Sequence, residues 1–151
     1  MIKKVRNVRP DISITSDFII GYPGESNECF EETLDLIEQI GFDDGYSFIY
    51  SKRPGTPASS EPDSISMSEK KKRLSLVQDL IRINSEKYLS KLVGTSQEVL
   101  IEGTSKTDPM KLFGRTFTNK IVNFRGSTDL IGQIIDVKII GSNRNSLDGA
   151  L

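Results

Sequence analysis

At Gly94 the rhythm of the sequence changes, and no single layer of structure accommodates both sides of the change. Upstream, apolar residues recur at helical spacing or close up into continuous runs; downstream, short β segments alternate with turn residues. The last upstream element is a long helix, opened by a capping box of Ser66 with Glu69. It carries Leu74, Val77 and Ile81 on one stripe, with Leu76, Leu80 and Ile83 beside it, and runs to about Leu92 before Gly94 stops it. The 151 residues therefore divide near residue 92, into an α/β part, 1–91, and an all-β part, 92–151. With 36% hydrophobic residues, each part can bury one small core.

Within 1–91, a short basic helix is expected to end before Pro10, which disfavours helical geometry at Arg9. Residues Ile12 to Ile20 read as a strand whose closing run, Phe18-Ile19-Ile20, suits burial on both faces of a parallel sheet. Gly21-Tyr22-Pro23-Gly24 breaks it. Ser26 caps the next helix, Glu28, Glu31 and Glu32 favour its positive end, Phe30, Leu34 and Ile37 recur at helical spacing, and Gly41 ends it. Tyr46 to Tyr50 reads as a second strand, so strand, helix and strand form a right-handed βαβ crossover. Two such strands leave parallel edges unpaired, and a helix already precedes the first of them. The expectation is the back portion of a larger α/β barrel or open sheet.

From Thr95 onward, strands are expected over 98–101, 112–116, 121–124, 133–140 and 146–151. Asp108-Pro109, Thr118-Asn119 and Gly141-Ser142-Asn143 supply turns. Five short strands in about sixty residues suit a small closed antiparallel barrel.

Composition excludes several kinds of chemistry. There is no His, so His-based acid–base catalysis and His metal ligation are absent, and one Cys provides neither an internal disulfide nor a cysteine-ligated cluster. No catalytic residue and no metal ligand set is assigned. Twenty basic residues against 21 acidic ones rule out a polybasic protein acting by bulk charge. No apolar run approaches the ~20 residues that cross a bilayer, and the basic start lacks the hydrophobic stretch of a secretory signal. A cytoplasmic location is expected, without a membrane partner; basic starts also occur in mitochondrial import.

Some residues carry both a functional and a plainer reading. Gly21-Tyr22-Pro23-Gly24-Glu25 lies where a parallel strand hands over to a helix, the end at which α/β folds place ligands, yet a Pro-Gly turn that reverses the chain has the same pattern. Tyr46, Phe48 and Tyr50 alternate on one face and fit either an adenine pocket or core. Lys70-Lys71-Lys72-Arg73 fits a phosphate-binding run or a solvated helix face, and Cys29 is expected to be inert. In the β part, Lys106, Lys111, Arg115, Lys120 and Arg125 alternate with Phe113, Phe117 and Phe124. Interleaved cations and aromatics compose an RNA-binding platform, and equally a barrel with aromatic core and solvated cations.

Together these residues resemble the tRNA methylthiotransferases, most closely the MiaB type. Ser16 through Glu25, then Phe48 through Ala58, resemble the last strands of the family's radical S-adenosylmethionine (β/α) barrel. Gly114-Arg115, Asn119 through Phe124 and Asn145-Ser146-Leu147 resemble the appended TRAM domain, a small RNA-binding β barrel. The resemblance implies the C-terminal portion of an enzyme that methylthiolates an isopentenylated adenosine beside the tRNA anticodon. That family uses S-adenosylmethionine and two 4Fe–4S clusters. Its cluster-binding cysteine motifs are absent here, and Cys29 belongs to neither, so no cofactor is expected on this chain alone.

For adenosine contact the resemblance points to Gly21 and Tyr50. For RNA it points to Arg115, Asn119 and Lys120, with Phe124 and Arg125 behind them. The expected partners are tRNA and a separate chain supplying the missing half-barrel. The β part has 7 basic and 6 acidic residues, so affinity would require Arg115, Lys120 and Arg125 to cluster on one face. A stand-alone RNA-binding adaptor and an inert remnant are the competing readings.

Overall fold

The computed structural model describes residues 1–106 and 108–151. It forms two compact units, Met1–Asn84 and Ser85–Leu151.

The first unit opens with α1 (Ile2–Val8), the short basic helix expected from Pro10. Strand β1 (Thr15–Ile20) starts three residues later than the expected run. Instead of joining the strand, Ile14 is tied to Asp43: its N–H donates to the Asp43 carboxylate at 2.8 Å, and its carbonyl accepts the Asp43 N–H at 2.9 Å. Helix α2 (Asn27–Ile40) is capped by Ser26, whose hydroxyl accepts from the Cys29 N–H. Left-handed Gly41 closes it by donating to the Ile37 carbonyl. Strand β2 (Asp44–Ile49) pairs with β1 in parallel, Thr15 opposite Asp44 through Ile20 opposite Ile49.

One face of this two-stranded sheet is core. Phe18 and Ile20 pack with Phe30 and Ile37 of α2, with Phe42, and with Val77 and Ile81 of helix α3 (Met67–Leu92). The other face is uncovered: Ile19, Tyr46 and Phe48 are all more than half exposed. Tyr46 and Phe48 of the aromatic stripe expected to be core or pocket wall are therefore open surface, while Tyr50 is partly buried, because parallel strands need layers on both faces and this unit supplies one. Leu76 and Ile83, expected beside the buried stripe of α3, are exposed as well. The helix packs against one thin layer, which covers only the narrower stripe through Val77 and Ile81.

The second unit contains the last turns of α3 and a closed barrel. Its strands are β3 (Ser96–Thr104), β4 (Lys111–Thr116), β5 (Ile121–Arg125), β6 (Ile134–Ser142) and β7 (Leu147–Ala150), in the ring order β3-β4-β5-β7-β6. The expectation of an all-antiparallel barrel is corrected: β5 and β7 run parallel, Val122 opposite Leu147. Five strands cannot alternate direction around a closed ring, so one neighbouring pair must run the same way. Alternation within each strand builds the interior from residues including Val99, Ile101, Leu112, Val122, Phe124 and Val137, and Leu89 of α3 joins the same cluster. No helix among the described residues is long and apolar enough to cross a membrane.

Candidate nucleic-acid interface and strand-end site

At the carboxyl end of β1, the two residues expected at an adenosine pocket come together. The Tyr50 N–H donates to the Ile20 carbonyl at 2.8 Å, which sets Tyr50 beside Gly21. Tyr22 meets the Tyr50 ring edge-on at 5.2 Å, and the Tyr50 hydroxyl is buried with no hydrogen-bond partner among the described residues. Gly21 has a local reason to be glycine: φ is +73°, and an added Cβ would stand 2.7 Å from the side chain of Lys70. Its N–H already donates to the Glu25 carboxylate at 2.9 Å. An adjoining open groove of about 370 Å³ is lined by Tyr22, Pro23, Gly24, Pro57, Ala58 and Glu61, among others.

Beneath this strand end lies a buried charge network. Glu25 links the Gly21 N–H to Arg73, whose guanidinium donates to it at 2.5 Å and to the Asn27 side chain at 2.6 Å, and stacks on Phe30 at 5.1 Å. Lys70, 2% exposed, donates to Asp63 at 2.7 Å and holds the Asp63 carboxyl below its usual value. Both readings of the basic run fail for these two residues. Lys70 and Arg73 are buried and ion-paired, and only Lys71 and Lys72 are exposed. The signal was in the spacing: positions 70, 73 and 77 share one helix face, and Val77 is fully buried. Cys29 is exposed on α2.

In the barrel, the expected cation cluster does not form. Arg115 and Asn119 do meet at the β4–β5 turn, where the guanidinium donates to the Asn119 side chain at 3.0 Å and to Glu102 at 3.2 Å. Asn119 is left-handed, with φ 63°. Lys120 is 8% exposed, its ammonium 5.2 Å from the Tyr88 ring centroid, so it is a packed cation rather than a surface one. Arg125 lies at the far end of β5, opposite Lys111. Phe124 is 1% exposed in the barrel core, which removes it as a stacking surface; even numbering on β5 places it with Val122, inside. Outward-facing Phe113, named among the interleaved aromatics but not singled out, is the ring that shares its face with Lys111, Arg115 and Arg125.

Residues 90–151 match the TRAM domain model. Over 99% of its length the chain is 52% identical to a tRNA-2-methylthio-N(6)-dimethylallyladenosine synthase of Haemophilus influenzae (strain PittEE) and 53% identical to one of Francisella tularensis subsp. novicida (strain U112). It is 51% identical to that of Mannheimia succiniciproducens. The aligned stretch is 31% of the Haemophilus protein and 34% of the Francisella one, so the chain spans about a third of these relatives. From end to end, then, this sequence is similar to a third of a tRNA-2-methylthio-N(6)-dimethylallyladenosine synthase, and its closed barrel is similar to a TRAM domain.

Proposed function

We propose that this chain is the C-terminal portion of a tRNA methylthiotransferase, in which the barrel contributes tRNA binding and the chain alone carries no catalysis. Identity above 50% along nearly the whole chain carries the reading, and the TRAM match over 90–151 supports an RNA contact in the barrel. Residues 1–91 are then the last part of a radical S-adenosylmethionine barrel, with the boundary near residue 92. The uncovered sheet face at Ile19, Tyr46 and Phe48 supports this, since further parallel strands and their layer would cover it. Those strands come from the rest of the enzyme, on the same chain or a separate one.

The residues present do not fit the family's iron–sulfur clusters. Each cluster is held by several cysteine thiolates, and the sequence has one Cys. Gly21 and Tyr50, held side by side at the end of β1, suit one edge of an adenosine site. Such a site would be completed outside this chain.

Titration of the purified chain with a tRNA transcript across a salt series tests the reading. Saturable binding that weakens linearly in log affinity against log salt is expected. Absence of binding at low salt would overturn the tRNA assignment.

A further inference from the structure

Resting on the tRNA reading, we propose that the outer face of the β4–β5 hairpin seats one unpaired nucleobase on Phe113. Alternation turns Leu112, Gly114 and Thr116 of β4 inward and leaves Lys111, Phe113 and Arg115 outside. The partner strand does the same, with Val122 and Phe124 inside and Asn123 and Arg125 outside. Register then lays out a row: Gly103 of β3, Phe113, Asn123 and Asp148 of β7 stand side by side across four strands.

Gly103 makes this row a seat. A Cβ there would stand 3.3 Å from Cε1 and 4.0 Å from Cζ of Phe113, so the ring lies across the glycine backbone. Backbone supports the ring on one side, and the half-buried side chain keeps part of its surface in solvent. A planar, supported aromatic is what a base stacks on, whatever its identity. Beside it, Asn123 carries both a donor and an acceptor that can meet a base edge.

Charge decides which ligand suits the face. Lys111 and Arg125 are opposite one another, two residues along from the Phe113–Asn123 pair, about 7 Å away at strand spacing. That places two cations where the phosphate flanking a stacked base would run. The row's one carboxylate, Asp148, accepts from the Asn143 amide at 2.8 Å and faces Lys111 at 3.9 Å. Such a long, part-exposed pair is worth little and yields readily to a phosphate. Phe117 is more exposed, at 81%, but the hollow it lines also holds Glu98 and Glu102, which repel a phosphate backbone, and Glu102 already takes up Arg115. Single-stranded RNA therefore fits the Phe113 face better than the Phe117 face.

The chain has no Trp, so single tryptophans report stacking directly. With a short unstructured RNA as probe, the full chain carrying Phe113→Trp should show strong quenching on binding, and Phe117→Trp little. Phe113→Leu keeps an apolar cover on Gly103 while removing the π face, and should weaken binding by about 5- to 150-fold with unchanged circular dichroism. Lys111→Gln with Arg125→Gln should flatten the log–log salt slope by about 1.4, since each phosphate contact on a single strand contributes about 0.7. Wild-type-like affinity in folded Phe113→Leu, or quenching confined to position 117, would overturn the seat while leaving RNA binding intact. A wild type that binds a tRNA transcript but not the short RNA would overturn the seat alone, and one that does not bind the transcript would overturn the tRNA reading on which the seat rests.

Discussion

Arg73→Ala should unfold the first unit far more readily than any surface substitution on α3. The Arg73 side chain is 5% exposed and that of its partner Glu25 is 12% exposed. Truncation removes the donors to Glu25 and Asn27 and the cation over Phe30, and leaves the Glu25 carboxylate with only the Gly21 N–H among the bonds described above. Breaking a buried ion pair by removing one partner costs about 3–5 kcal/mol, mostly because the remaining charge is stranded. Since whole domains are stable by roughly 5–15 kcal/mol, this is a large share for an 84-residue unit. Deleting both charges, in Glu25→Gln with Arg73→Met, should cost clearly less than Arg73→Ala alone, because nothing charged is left buried. Urea denaturation followed by circular dichroism at helix wavelengths measures both variants. A loss below about 0.5 kcal/mol for Arg73→Ala, the range of an ordinary surface change, would refute the network. So would a double variant less stable than the single, which would make packing the dominant cost.

Three further outcomes follow from the same geometry. Asp63 is held below its ordinary value of 3.8 by Lys70, so its contribution is present above that pH and lost as pH falls through the lowered value. Asp63→Asn should therefore destabilise the first unit at neutral pH and lose that difference in strong acid; a constant offset in pH-dependent melts would contradict the pairing. Gly114→Ala should disrupt the barrel, since its Cβ would stand 2.3 Å from the Leu100 carbonyl and 2.6 Å from Val99; overpacking of this kind costs about 1–3 kcal/mol, and an unchanged barrel melting temperature would refute it. Hydrogen exchange should be slower in β3, β4 and β6 than in β1 and β2, which form a two-stranded sheet with one open face; equal protection would show that the open face is covered in solution, for example by self-association.

Local rules read directly from the sequence account for most of the element order. Ser26 and Gly41 bracket α2 because a hydroxyl acceptor and a left-handed glycine satisfy helix ends using residues only a few positions away. Likewise Ser66 accepts the Glu69 N–H as a capping box requires, although the Glu69 carboxylate goes to Arg73. The β strands after Gly94 were legible from two-residue alternation, which places Val122 and Phe124 inside a closed barrel as surely as it places Asn123 outside.

What sequence could not decide was which groups meet across long separations. Lys70 lies on the same helix stripe as Val77, but only the passage of Gly21 over it and the return of Asp63 make burial of its charge tolerable. Tyr46 and Phe48 alternate like core residues and are exposed, because burial depends on a layer that periodicity cannot supply. Arg115, Lys120 and Arg125 lie close together in sequence, yet strand direction carries Arg125 to the far end of β5 and packing folds Lys120 over Tyr88. Spacing along a chain fixes which side of an element a residue occupies; ring closure and register fix its neighbours, and charge chemistry follows the neighbours.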